Sequence, residues 1–217
     1  MLRHVWGLAL AILVTACTSA GVDPAGSVLA RASLRIAPIV GGEPYLGTVA
    51  EAAHRDPALG VDAEASALYS QTLSPISTHL ITAASRAALR AVRVKPVPAG
   101  LSVAYQQLHD ERWRMWVVDE DRGFVLRPGT RVKLERAAEG VMVYVLFEGD
   151  DRGALERLTT ETIGGHLAIL NEDEALMVPA VMEAIPGGQM LIDPGSSSPE
   201  ALYERLTGQA PPPSVKH

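Results

Sequence analysis

The chain has 217 residues, of which 47% are apolar and 20% charged, with a formal net charge of −6. That is an ordinary globular balance, long enough for one large domain or a domain with an added subdomain. A net acidic chain without a basic cluster argues against a nucleic-acid partner, and the single cysteine, Cys17, excludes an intrachain disulfide, so stability must come from the core.

Residues 1–16 have a short basic start, Arg3 and His4, followed by an apolar run from Val5 to Val14. As a helix, ten residues span roughly 15 Å, about half of a bilayer core, so the stretch is expected to be a signal peptide and not a resident span. Thr15-Ala16-Cys17 resembles the bacterial lipobox, in which the cysteine is acylated and becomes residue one. The resemblance implies a protein held on the membrane through lipidated Cys17, on the periplasmic side of the cell envelope, with more than one acyl chain giving stable anchoring. An ordinary secretory signal with a chance cysteine is the competing reading, and the choice between inner and outer membrane stays open.

Residues 17–30 are small and polar, with Pro24 and several glycines, and read as a tether. Residues 31–95 are expected to be a mainly helical N-terminal region after a short strand at Leu34, Ile36 and Ile39-Val40. Thr48 and Glu51 have capping-box spacing, and Asp56-Pro57 should end that helix. Asp62 caps a second helical piece through Tyr69. Ser74-Pro75 opens a third, with Ile76, Leu80, Ala84, Ala88 and Val92 on one face. Arg86, Arg90 and Arg93 would then complement the dipole of its last turns, with contact to anionic lipid as the alternative.

Pro96-Val97-Pro98-Ala99-Gly100 marks a boundary, after which residues 96–208 read as an α+β domain. Leu101, Val103 and Tyr105 alternate with smaller residues, and Trp113, Met115 and Val117 alternate with Arg112, Arg114 and Trp116. These are two half-buried strands around a turn at His109-Asp110-Glu111. Short strands follow at Gly123 to Leu126 and Arg131 to Leu134, then a long one from Val141 to Phe147. Asp150 or Asp151 should cap a helix containing Ala154, Leu155 and Leu158.

His166 to Leu170 and Ala175 to Met182 are apolar runs around the polar cluster Asn171-Glu172-Asp173-Glu174, the pattern of a hairpin with a solvated tip. Pro179 cannot donate to a ladder, which places it at an edge or bulge. Pro186-Gly187-Gly188 predicts a sharp reversal before a strand at Gln189 to Ile192. Ser198-Pro199 opens a last helix that stops at Gly208, and 209–217, with three consecutive prolines, is expected to be a disordered tail.

The succession Leu158-Thr159, Ile163-Gly164, Leu167-Ala168-Ile169, Pro179-Ala180-Val181 and Ile185-Pro186-Gly187-Gly188 resembles the head subdomain of the first periplasmic domain of SecD, in the SecD/SecDF family. The resemblance spans roughly Val92 to Thr207 and is strongest from Val141. It implies a mixed or antiparallel sheet packed with helices, and a role in contacting exported polypeptide or other envelope and export-machinery proteins. No stretch reads as that family's conducting membrane portion, so proton-driven translocation is not implied.

Catalytic constellations are scarce. His166, Asp193 and Ser196 to Ser198 supply the residue types of a hydrolytic triad, but no Gly-x-Ser-x-Gly elbow is present. Glu148-Asp150-Asp151 and Glu172-Asp173-Glu174 lack the register of a calcium loop, and the six histidines form no helical i, i+4 pair. No phosphate-binding Gly-x-x-x-x-Gly-Lys occurs. The expectation is a non-enzymatic binding or assembly module with no catalytic residue, metal or cofactor. Its candidate interaction surface comprises Pro179, Met182, Gly187, Gly188 and Gln189, because an edge at Pro179 could accept an extended, unfolded chain as an added strand. The alternative is a hydrolase-like envelope enzyme whose catalytic groups come from distant segments.

Overall fold

The computed structural model describes residues 26–68, 76–92, 96–126, 130–137, 140–192 and 198–213. In chain order its elements begin with β1 (Val28–Leu29), β2 (Leu34–Val40), α1 (Tyr45–Arg55), β3 (Val61–Leu68), β4 (Ile76–Ala83) and α2 (Arg86–Val92). There follow β5 (Leu101–Gln107), β6 (Trp113–Asp119), β7 (Phe124–Val125), β8 (Arg131–Ala137), β9 (Gly140–Leu146) and α3 (Gly149–Glu161). The chain ends with β10 (Leu167–Asn171), β11 (Glu174–Met177), β12 (Gln189–Ile192) and α4 (Pro199–Thr207). The fold is α+β with a mixed sheet: β11 runs parallel to β5, and the other pairings are antiparallel.

The large sheet runs β3-β4-β6-β5-β11-β10-β2-β7, and a further pairing of β2 with β6 returns the sheet to itself. Strands β6, β5, β11, β10 and β2 therefore form a small closed barrel. Strand β2, from before the Pro96–Gly100 segment, shares that barrel with β5 and β6 from after it. Register puts Ala37, Ile39, Ala104, Trp116, Val118, Ala168, Leu170 and Ala175 on one face of these strands, and they pack as one buried cluster. This is the barrel interior. Four of the eight are alanine because a ring of five strands is narrower than the eight-stranded barrels whose interior side chains just fill. Arg35 faces the same way and reaches Glu120 at 2.7 Å, while the Ser102 hydroxyl donates to the other oxygen of that carboxylate. These polar groups face the same way as the interior cluster.

The opposite face of the same strands meets two separate cores. Val103, Tyr105, Met115 and Val117 pack with α1 and α2 through Leu46, Val49 and Leu89. Leu34, Ile36, Leu167 and Ile169 pack with the second sheet, β1-β8-β9-β12, and with α3 and α4. Strand β7 continues the line of β6 along β2 after a four-residue loop. Gly123 is needed in that loop because a Cβ there would lie 2.9 Å from the Ala37 Cβ and 3.0 Å from the Ile36 oxygen.

Several local expectations change. The helix expected from Ser74 to Val92 is strand β4 followed by the short α2; Ser74-Pro75 and Arg93 lie outside the described residues. Ile76, Thr78, Ile81 and Thr82 are β-branched, and pairing with both β3 and β6 selects the extended form. Ser85 then caps α2, accepting from the Ala88 N–H at 3.2 Å. The piece opening at Asp62 is likewise strand β3, paired along its full length with β4 against the helix propensity of its alanines. In α1 no capping box forms at Thr48, whose hydroxyl donates to the Pro44 carbonyl at 3.3 Å, and the helix ends before Pro57 as expected. Glu148, not Asp150 or Asp151, occupies the N-cap of α3, and the two aspartates complement the dipole from its first turn.

The hairpin tip is also not a solvated turn. Arg86 pairs with Asp173 and Glu174, Arg90 with Asp173 at 2.7 Å, and Arg205 with Glu174 at 2.8 Å, tying α2 and α4 to the turn between β10 and β11. Arg86 and Arg90 also lie over the Tyr105 ring. At the chain's end, Ser198 caps α4 by accepting from the Ala201 N–H at 3.1 Å, and Gly208 closes it in the left-handed conformation, both as expected. Residues 209–213 are irregular, with the Pro212 carbonyl 3.5 Å from an Arg136 nitrogen.

Candidate interaction surface

Cys17, Asp193, Ser196 and Ser197 lie outside the described residues. The other positions singled out in the sequence can be placed. Pro179 is buried, and its carbonyl accepts from the Leu167 N–H at 3.1 Å. Ala180 bridges His166, while Val181 exchanges hydrogen bonds with Gly164 and Gly165 at 2.8 and 2.9 Å. The segment is thus paired along this side, and Pro179 does not open an edge there. Strand β11 ends at Met177, so the strand expected to run to Met182 leaves the sheet five residues earlier. Met182 lines a small apolar depression with Pro179, Val181, Ile185 and Met190. Its volume is about 10 Å³, room for roughly one water and no side chain.

Gly187 is exposed and Gly188 buried, and the two differ in kind. Gly188 has φ +65°, and a Cβ there would sit 2.8 Å from the Phe147 oxygen and 2.5 Å from Arg152 Cγ, whereas Gly187 has open space around it. The Gly188 carbonyl accepts from the Phe147 N–H at 2.6 Å, which sets the register of β12 against β9. Ile185 is anchored to α3 through its N–H on the Thr159 hydroxyl at 2.9 Å. These residues therefore shape the β12 edge; of the five, Met182 and Gln189 are half-buried and Gly187 is exposed.

A larger feature that the sequence did not mark lies across α3. A cleft of about 480 Å³ is lined by Phe124 and Val125 of β7 and by Gly149, Asp150, Gly153 and Arg157 of α3. Leu126 donates to the Leu34 carbonyl, so positions 124 and 126 face β2, and the main-chain N–H and C=O of Val125 point away from it. Val125 is 58% exposed. Gly149 and Gly153 add no side-chain bulk of their own to the helix side of the cleft, and a Cβ at 149 would meet nothing within 4 Å. An open strand edge thus borders a concavity of small-ligand or peptide size.

Of the catalytic types, His166 is part of the barrel wall, and its carbonyl accepts from the Ile39 N–H at 2.9 Å. Burial first, and then the charge of Arg114, hold its pKa below the ordinary histidine value. Ser198 is engaged as a helix cap. Among the described residues no group of three His, Cys, Asp or Glu side chains is placed to hold a metal, and no helix is long and apolar enough to cross a membrane.

No protein-family model matches the chain, and no curated protein matches it. Two solved structures do. One is of SecDF, described as a membrane component that enhances protein export, at 16% identity and a TM-score of 0.37, covering 84% of this chain and 62% of that one. The other is SecDF in a super-membrane-facing form, at 20% identity and a TM-score of 0.30, covering 82% of this chain and 28% of that one. The chain accordingly spans less than two thirds of either matched chain. Both are structures of SecDF.

Proposed function

We propose that the protein is a non-enzymatic module of the cell envelope, held by a lipidated Cys17, that takes an extended segment of polypeptide as an added strand on β7. The observation that supports this is the outward-facing main chain of exposed Val125 beside the 480 Å³ cleft. Strand addition draws affinity from main-chain hydrogen bonds, and the cleft beside Phe124 gives an alternate side chain of the incoming strand a place to lie. The motif order that resembles the SecD head makes unfolded exported polypeptide the occupant to test first.

The test uses a photoreactive residue at Val125, and separately at Met182 and Gln189, with a purified unfolded secretory polypeptide. An adduct should form at 125. Val125→Pro in a chain carrying the photoreactive residue at Ala154 should then abolish capture, because proline removes only the outward N–H and leaves the bonds of 124 and 126 to β2 intact. Capture that survives the proline, or that occurs only at 182 and 189, would refute strand addition at β7. Turnover of a small substrate by the purified protein without any adduct would return the enzyme reading.

A further inference from the structure

The barrel wall carries a cation to which no protein group among the described residues gives an acceptor. Arg114 begins the inward-facing row of β6, between Gln106 of β5 and Thr82 of β4 in register. Its guanidinium stacks on the Trp116 ring, 3.5 Å from Cζ to the ring centroid. Trp116 is in turn fixed by its indole N–H, which donates to Gln106 Oε1 at 2.9 Å. The plane of the guanidinium is therefore set by neighbours that are themselves held.

No group among the described residues accepts a hydrogen bond from Arg114, and its Nε is sealed from solvent without an acceptor. Nearby carboxylates are committed elsewhere. Asp62, two strands across, is engaged by Arg112, which also reaches the Thr82 hydroxyl. Glu120 is held by Arg35 and Ser102. Burial without a counter-charge draws the Arg114 pKa down to about 10. A donor sealed from water, as Nε is, costs free energy until an acceptor is supplied. Stacking on an aromatic face offsets part of that cost, and the Nη groups of this half-buried residue have no protein acceptor among the described residues.

We propose that this part of the barrel is a binding site for a carboxylate, received in the plane of the Arg114 guanidinium by its Nη groups above the Trp116 ring. Two parallel N–H donors in a fixed plane match the two coplanar oxygens of a carboxylate. Gln106 supplies a further donor, since its Oε1 is occupied by the indole and its NH₂ is not. The site is separate from the β7 cleft, which lies beside α3.

The test is a titration of the isotopically labelled full chain with sodium acetate, following the Arg114 Nε–H and Trp116 indole N–H signals by NMR. Both should shift and saturate with acetate, and neither with acetamide, its neutral analogue. Arg114→Lys keeps the charge but loses the fork and should weaken acetate binding by about tenfold. Gln106→Glu keeps the indole acceptor, replaces the second donor with a like charge, and should weaken it further. Binding measured on the wild-type chain does not depend on any variant folding. No saturable shift with acetate, an equal response to acetamide, or at least tenfold tighter binding of inorganic phosphate would each overturn the assignment.

Discussion

If the five strands enclose one interior, the volumes of Leu170 and Ala175 must be coupled. The two are cross-strand partners of β10 and β11, both on the inward face, and exposed by 0% and 3%. Leu170→Ala leaves a cavity whose walls cannot easily collapse, since each barrel strand is hydrogen-bonded on both sides; the cost should be about 3–5 kcal/mol, the upper part of the range for buried leucine. Ala175→Leu overfills an interior already closed by Ala37, Ala104 and Ala168, at about 1–3 kcal/mol. In the double variant the new leucine occupies space that the old one vacated. Its cost should fall short of the sum by about 1 kcal/mol or more, within the usual range for coupled neighbours. Urea denaturation of the four proteins, compared at equal slope, measures this directly. Ile169→Ala, on the outward face beside Ile36, should show no such rescue by Ala175→Leu. Additivity of the Leu170 and Ala175 changes within about 0.5 kcal/mol would refute a shared closed interior.

Gly188→Ala should cost about 2–4 kcal/mol in the same assay, from the left-handed backbone and the approach to the Phe147 oxygen, while Gly187→Ala should stay within about 0.5 kcal/mol. Equal losses would mean that the glycine turn does not hold the register of β12. For pH, His166 is half-buried with its pKa depressed, so the neutral form is favoured in the fold. The stability it contributes is fully present above the ordinary value of 6.5 and is lost as pH falls below that value through the depressed one. The wild-type urea midpoint should therefore drop on acidification across this window, and His166→Gln should flatten the drop; identical pH profiles would rule out His166 as its source.

Elements whose signals are local were legible in the sequence. Ser198-Pro199 and Gly208 bound α4 because a cap and a left-handed stop act within one turn. Alternation defined β5 and β6, and Pro186-Gly187-Gly188 announced the reversal before β12. What failed was the stretch from Asp62 to Val92. Ile76, Leu80, Ala84, Ala88 and Val92 repeat every four residues, which a helix satisfies alone, but the fold instead buries Ile81 and Ala83 from a strand of eight and Leu89 and Val92 from a short helix, and leaves Ala84 exposed. The deciding contacts are with β3 and β6, and no local propensity carries them.

The same distance explains why neither candidate site was read from the sequence. Arg112, Arg114 and Trp116 alternate with Trp113, Met115 and Val117, and a strand with one face of arginines looks half-exposed. The assignment of faces was correct, but both faces are covered. Residues 113–117 meet α1 and α2 on the apolar side, and pairing of Ile39 with Val118 and Val40 with Val117 closes the barrel over the other. That pairing joins positions nearly eighty residues apart, so the partial burial of Arg114 follows from topology and not from its neighbours in the chain. Likewise Val125 reads as one more apolar residue in a short strand; it becomes an open edge only because the loop 120–123 carries β7 past the end of β6, along the same side of β2. A strand that must leave a closed ring to rejoin its partner outside it will present one side of its main chain to solvent. Here that side faces the start of α3, where Gly149 and Gly153 keep the space beside it clear.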